Sequence, residues 1–360
     1  MYRSFELRNF RCFQELKITD LEKVNLFAGI NNVGKTSLLE ALFLHCGAYN
    51  PELAIRLNAF RGIESLKIEL GRSTGTPWDS LFTQFDTAKR VELRGENEKG
   101  SKRTLFLKVV RQPEELAQIR HFAQPSSKQS NGFPNASEIA QVLELEYKEG
   151  GQQRKFYMIL DPKGGRIEPI PPAPPFPAFF QGDRLHIPLR DEAERFGNLE
   201  IRGQQEVILE VLKIIEPRLR RLAMVVATGE PMLHGDIGIG RLVPLPLMGA
   251  GIVRLASLVL HIGNAPNGIV LVDEIENGLH HSILIKVWKA LMEVAQQFNT
   301  QIFATTHSFE CILAAHRAFE ESQSNDFRLH RLDRIKDNIK LVTYDRESLA
   351  AAVETGLEVR

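Results

Sequence analysis

The sequence has few cysteines, no excess of either charge and no apolar stretch long enough to cross a bilayer. Cys12, Cys46 and Cys311 are odd in number and far apart, so neither a disulfide framework nor a cysteine-built zinc site is indicated, and a reducing cytosol is the expected setting. Lysine plus arginine equals aspartate plus glutamate at 45 each, which leaves no net field to draw the whole chain towards DNA or an acidic membrane. The most apolar tracts, around Leu38–Cys46 and Ile252–Ile262, fall short of the roughly 20 residues that a spanning helix needs. The opening MYRSFELRNFRCF alternates polar and apolar residues without a signal-peptide core, so no stable membrane insertion is expected. There is no internal repeat and no long heptad tract, which excludes a solenoid and an extended coiled-coil arm. What is present is an ordinary folded composition: 360 residues, 43% apolar and 25% charged.

Alternation in SFELR (residues 4–8) and the continuous apolar run VNLFA (24–28) predict two strands, the second buried. From Thr36 the apolar residues Leu38, Leu39, Leu42 and Leu44 suit a helix lying on a sheet. Between residues 60 and 160 the short runs SLKIEL, RVELRG, TLFLKVV and VLELEYKEG predict antiparallel strands of an added β-rich lobe. The polar tract Pro113–Ser137 reads as a long loop, and the proline-dense Ile167–Phe180 as a stiff extended connection. Residues 204–227 place apolar side chains at helical spacing, with Pro217 as a kink. A helix is expected over Gly251–Ile262, then a buried strand in GIVLVDE, a helix over Ser282–Phe298, a buried strand in QIFATTH, and last strands in FRLHRL and IKLVTY. Buried strands alternating with helices imply a mainly parallel sheet.

The chemistry sits at three strand ends. Gly29-Ile30-Asn31-Asn32-Val33-Gly34-Lys35-Thr36 has the GxxxxGK[ST] spacing and lies between the strand and helix that this loop requires. Its glycines let the backbone curl so that N–H groups face phosphate oxygens, Lys35 reaches the outer phosphates and Thr36 offers a hydroxyl to Mg²⁺. Asn31, Asn32, Val33 and Ser37 complete the candidate ATP-binding loop. Asp273, after the apolar run Ile269–Val272, is a candidate Mg²⁺ ligand, and Glu274 beside it a candidate for orienting or deprotonating water. His307 ends the third strand and can bond the γ-phosphate, with Thr305 and Thr306 fixing that end; a structural histidine is the competing reading. His280 and His281 make a weak case for a metal site, since no cysteine or HExxH pattern accompanies them.

LRNFRCF, GINNVGKTSLLEAL, LVDEIENGLH and ATTHS, in that order, resemble the AAA/ABC-type ATPases allied to RecF, SMC and the OLD (overcoming lysogenization defect) proteins. The resemblance implies an α/β P-loop NTPase of ABC-ATPase head type, with a mainly parallel sheet, a β-rich insertion and a helical signature lobe. It also implies a homodimer formed on ATP binding. In such dimers a signature segment from one subunit completes the phosphate site of the other, and the match here is Leu247–Arg254 with Gly249 and Gly251, though it is not a full LSGGQ. Arg11 matches an arginine near nucleotide, Glu276–His280 a loop at the subunit interface, and Gln181 is one candidate for the glutamine that couples nucleotide to the opposite lobe. Only 53 residues follow His307 and they hold no DxD pair, so the TOPRIM nuclease of longer relatives is not expected.

The expected layout is residues 1–60 and 263–360 as two parts of the ATPase core, 61–182 as the β-rich insertion and proline-rich connection, and 183–262 as the helical lobe. The expected function is ATP hydrolysis driving dimerisation and a switch coupled to a separate effector protein or nucleic acid, in bacterial phage defence by analogy. Two alternatives stay open. One is a DNA repair or recombination ATPase using the basic cluster Arg218, Arg220 and Arg221; the other is a nucleotide-gated scaffold with little turnover.

Overall fold

The protein is described from a computed structural model, which defines residues 1–62, 75–112, 114–116, 119, 141–161, 164–182, 189–227 and 229–360. The expected SLKIEL strand and most of the Pro113–Ser137 loop lie outside the described residues.

Two sheets enclose one helix. A six-stranded sheet has the order β16-β15-β3-β14-β13-β9, formed by Asn338–Tyr344, Phe327–Ile335, Val24–Ala28, Gln301–Thr305, Ile269–Val272 and Ala178–Gln181. Every neighbour in it is parallel except the pair β15 and β16. A seven-stranded antiparallel sheet has the order β2-β1-β4-β5-β6-β7-β8, over Phe13–Ile18, Tyr2–Phe10, Val91–Asn97, Lys102–Val110, Gln141–Glu149, Gln152–Asp161 and Gly164–Glu168. Helix α1 (Lys35–Cys46) touches strands of both, which is why its sequence is apolar almost all round and ten of its twelve residues are buried.

Strand side chains divide by their period of two. Val270, Val272, Ile302 and Ala304 join the core made with the helices Ala250–Gly263, Leu284–Gln297 and Phe309–Glu321, while Ile269, Leu271 and Phe303 join the core around α1 and the antiparallel sheet. Both faces are therefore apolar, and a strand such as IVLV reads as an unbroken run.

One expectation is corrected. Residues 204–227 are not one kinked helix: Glu206–Leu212 is helical, but Arg221–Ala227 is a strand (β10) paired antiparallel with Glu230–Asp236 (β11), which in turn pairs with Leu242–Pro244 (β12). The β-branched Val225 and Val226 and the tight return at Gly229 (φ 87°) favour a hairpin over helix. The sheet of the β-rich region also takes in β1 and β2 from the start of the chain. The proline-rich connection ends as β9, an edge strand of the core sheet. Among the described residues, no helix is long and apolar enough to cross a membrane.

Candidate functional site

Strands β3, β14, β13 and β9 are neighbours in space although far apart in sequence, and being parallel they end on one edge of the sheet. That edge gathers the P-loop after β3, Thr305–His307 after β14, Asp273 and Glu274 after β13, and Gln181 at the end of β9.

The loop before α1 depends on two glycines. Gly29 has φ 144°, and a Cβ there would lie 2.6 Å from the Leu332 carbonyl oxygen; Gly34 has φ 114°, and a Cβ there would meet Cys12 Sγ at 2.7 Å. Asn32 also takes a positive φ of 63°, and Val33 is buried. The Lys35 ammonium donates to the carbonyl oxygens of Gly29 (2.8 Å) and Ile30 (3.3 Å) and stands 3.9 Å from Glu274 Oε1. Burial lowers its pKa, opposed by the charges of Glu274, Asp273 and Glu276.

Thr36 Oγ1 donates to both Asp273 oxygens (3.1 and 2.9 Å), and Thr305 Oγ1 donates to Asp273 Oδ1 at 2.6 Å. The threonine hydroxyl and the aspartate, 237 residues apart, thus form one oxygen-donor pair. Glu274 adopts φ 49°, an unfavourable region for a residue with a Cβ. Its N–H donates to Thr305 Oγ1 (2.8 Å), and its Oε2 lies 2.5 Å from His307 Nδ1.

Two residues to which sequence reasoning gave a place only at the subunit contact, Arg254 and Glu276, hold this turn, with Gln181 beside them. Arg254, on the helix that follows Gly249, donates through Nη2 to the carbonyl oxygens of Asp273 (2.6 Å) and Glu274 (2.7 Å). Gln181 accepts the Asp273 N–H at 2.9 Å through its main chain and donates from Nε2 to the Arg254 carbonyl at 3.3 Å. Arg254→Ala removes the ionised donor of two buried carbonyls and is expected to destabilise the fold by about 1.5–3 kcal/mol. Urea unfolding measures this, and an unchanged midpoint would show that the turn holds itself. Glu276 is the other: Thr306 Oγ1 donates to its Oε1 at 2.7 Å, the His307 N–H at 3.3 Å, and burial pushes its carboxyl up.

The remaining candidates lie elsewhere. Arg11 pairs with Glu40 of α1 through Nε (2.8 Å) and donates to the Ser80 carbonyl (3.3 Å) and Asn58 Oδ1 (3.5 Å). Arg61 reaches the same helix, donating to Ser37 Oγ at 3.0 Å and to Glu40. Gly249 (φ 116°, ψ 155°) precedes helix Ala250–Gly263, and a Cβ on it would meet open space. A Cβ on Gly251 would strike the Gly278 carbonyl oxygen at 2.4 Å. Gly251 therefore packs against the Glu276–His280 loop, while Gly249 faces open space. The His280 and His281 rings are tilted against each other with centroids 4.3 Å apart, and neither belongs to the Glu274, Glu276 and His307 group whose ligand atoms lie within 4.8 Å of one another.

The chain resembles several known proteins. It is 24% identical over 341 residues, covering 87% of this chain and 86% of the relative, to an "ATP/GTP phosphatase" of Helicobacter pylori. A match at 55% identity is confined to 40 residues of the "DNA replication and repair protein RecF" of Lactobacillus johnsonii, 11% of each chain. In fold it resembles an SMC head bound to the C-terminal winged-helix domain of ScpA, with TM-score 0.52, 13% identity and coverage of 97% and 99% of the two chains. This is the mixed α/β fold of an ATPase head, with a mostly parallel sheet and helical lobes. A family model described as "AAA domain, putative AbiEii toxin, Type IV TA system" matches residues 24–312. The chain belongs to this family, as an AAA-type P-loop ATPase domain related to SMC- and RecF-type heads.

Proposed function

We propose that the chain binds and hydrolyses Mg·ATP, and that nucleotide state controls the pairing of two copies and a switch coupled to a separate effector. The observation that carries this reading is the meeting of Lys35, Thr36, Asp273, Glu274 and His307 on one sheet edge.

The polar groups of the site bond one another. Lys35 is held by loop carbonyls and Thr36 by Asp273, so a phosphate chain would take over the ammonium and a hard cation the hydroxyl and carboxylate. An oxygen-only pair of this kind fits Mg²⁺, which when bound supplies charge neutralisation on the phosphates. A helix leaves its first-turn N–H groups without intrahelical partners, and those of α1, which begins at Lys35, would bind and orient the outer phosphates together with that lysine. Glu274 orients the attacking water and accepts its proton, while His307 Nε2 faces the terminal phosphate.

The glycines at 249 and 251 have no place in their own phosphate site, which supports their use by a second copy: the helix that Gly249 caps would present its N-terminal N–H groups to the nucleotide of the partner. Arg254 then links that contact to the backbone of Asp273 and Glu274.

The ScpA-bound head supports a partner-protein surface, and the family's description, a toxin of a toxin–antitoxin system, supports a setting in bacterial defence. The RecF match favours DNA as a second reading. Against it, Arg218 is paired with Glu216 at 2.9 Å and Arg221 lies 3.8 Å from Asp236, which leaves less of the basic cluster for phosphates.

Phosphate release from ATP by purified protein tests the reading. Turnover is expected with Mg²⁺, to vanish on chelation, and to fall about a hundredfold or more in Asp273→Asn. Equal rates with and without the metal would rule out this assignment of Thr36 and Asp273.

A further inference from the structure

The imidazole of His307 stands between two carboxylates. Its Nδ1 is 2.5 Å from Glu274 Oε2 and 3.5 Å from Glu276 Oε1. A carboxylate only accepts hydrogen bonds, so in this arrangement the Nδ1 proton is directed to Glu274. That contact occupies an acceptor site on Oε2, one of the two oxygens that Glu274 can offer to a water. Where Glu274 turns Oε2 to the water the imidazole moves off it, and an imidazole that moves off needs another acceptor or it loses its aim.

Glu276 is placed to be that acceptor. Its side chain is 10% exposed, deep behind the site rather than at its mouth. Oε1 receives the Thr306 hydroxyl at 2.7 Å and the His307 main-chain N–H at 3.3 Å, so one atom fixes both the backbone beneath the imidazole and a second station for its ring proton. Oε2 is buried with no hydrogen-bond partner, so the group is not one end of a longer polar chain. The turn carrying Glu276 is stitched to β14 from the other side as well, with Ile275 N–H donating to the Thr305 carbonyl at 3.0 Å. The two stations are therefore held at a fixed separation.

We infer that Glu276 is a positioning residue that takes over the Nδ1–H of His307 when Glu274 turns to the attacking water, keeping Nε2 directed at the terminal phosphate. The imidazole swings between two acceptors and no bond other than hydrogen bonds is made or broken. This rests on the ATP-hydrolysis reading and adds to it a residue that acts through His307 alone.

Glu276→Gln keeps the shape and the acceptors for Thr306 and the His307 N–H but offers Nδ1–H a neutral oxygen. It is expected to lower kcat about tenfold, the order expected when a charge-assisted hydrogen bond becomes a neutral one. Glu276→Ala should lower it further, and in both variants binding of a fluorescent ATP analogue should stay at the wild-type level.

The decisive arm repeats both substitutions in a His307→Ala background, where they should change kcat less than about twofold, as residues acting as a unit are not additive. Full additivity there would overturn the inference, because it would mean that Glu276 acts through the fold. Loss of analogue binding together with kcat would overturn it too. A His307→Ala protein as active as the wild type would instead overturn the role given to His307 in hydrolysis, and the wild type would fail to release phosphate only if the ATPase reading itself were wrong.

Discussion

Glu274→Gln is expected to cut phosphate release in a single turnover about a thousandfold, in the range that a positioned general base contributes, while the protein still takes up Mg·ATP. The separation follows from geometry. Glu274 touches neither the P-loop backbone nor the Asp273 and Thr36 pair directly; it stands 3.9 Å from the Lys35 ammonium and 2.5 Å from His307 Nδ1. The amide is isosteric, and the Arg254 bonds go to the main-chain carbonyl of residue 274, so the positive-φ turn survives the change. Binding without hydrolysis should leave the two-copy state populated, visible by light scattering as an ATP-dependent doubling of mass that the wild type shows only transiently. Equal phosphate release by both proteins would remove Glu274 from the reaction, and would favour a scaffold whose function is binding alone.

Lys35→Met is expected to have the opposite profile: a gain or no change in the stability of the nucleotide-free protein, and hydrolysis lowered about a hundredfold to a thousandfold by loss of a charge aimed at the transferred phosphate. The Lys35 side chain is 5% exposed and its ammonium is held by two carbonyl oxygens. Burial lowers its pKa from the ordinary 10.5, so the unfolded chain holds that proton more tightly than the folded one. The lysine therefore opposes folding below its lowered pKa, and the opposition fades as pH rises from there towards 10.5. Methionine keeps the apolar stem and removes this dependence. Urea unfolding at neutral and at alkaline pH should show a flatter profile for the variant, and nucleotide uptake should fail at both. A variant that hydrolyses like the wild type would place the phosphates elsewhere.

Much of this site is readable in one dimension because local rules and function agree there. VNLFA, GINNVGKT and the apolar helix after it carry their own strand, loop and helix signals, and the short runs IVLV and QIFAT, expected as buried strands, are strands buried along their whole length. What is not legible is whatever depends on which strands become neighbours. Gln181 closes a proline-rich tract with no periodic pattern, yet pairing of β9 with β13 sets it beside Asp273. Arg254 is one more polar residue three positions beyond Gly251, and its partners are carbonyl oxygens 19 and 20 residues away. The motif around Arg11 is recognisable, but its contacts with Glu40 and Ser80, and that of Arg61 with Ser37, follow from packing that the motif does not show. In residues 221–227 the apolar spacing fits a helix equally well, and the hairpin return at Gly229 decides for a strand. Tertiary pairing overrides the local pattern there.

Isothermal titration of the nucleotide-free protein with Mg·ATP reads the site most directly. Saturable one-to-one uptake per chain is expected for the wild type and Glu274→Gln, with no measurable heat of binding for Lys35→Met. A wild-type protein that takes up no Mg·ATP at millimolar concentration, or a Lys35→Met protein that binds it unchanged, would contradict the assembly of these residues into a nucleotide site.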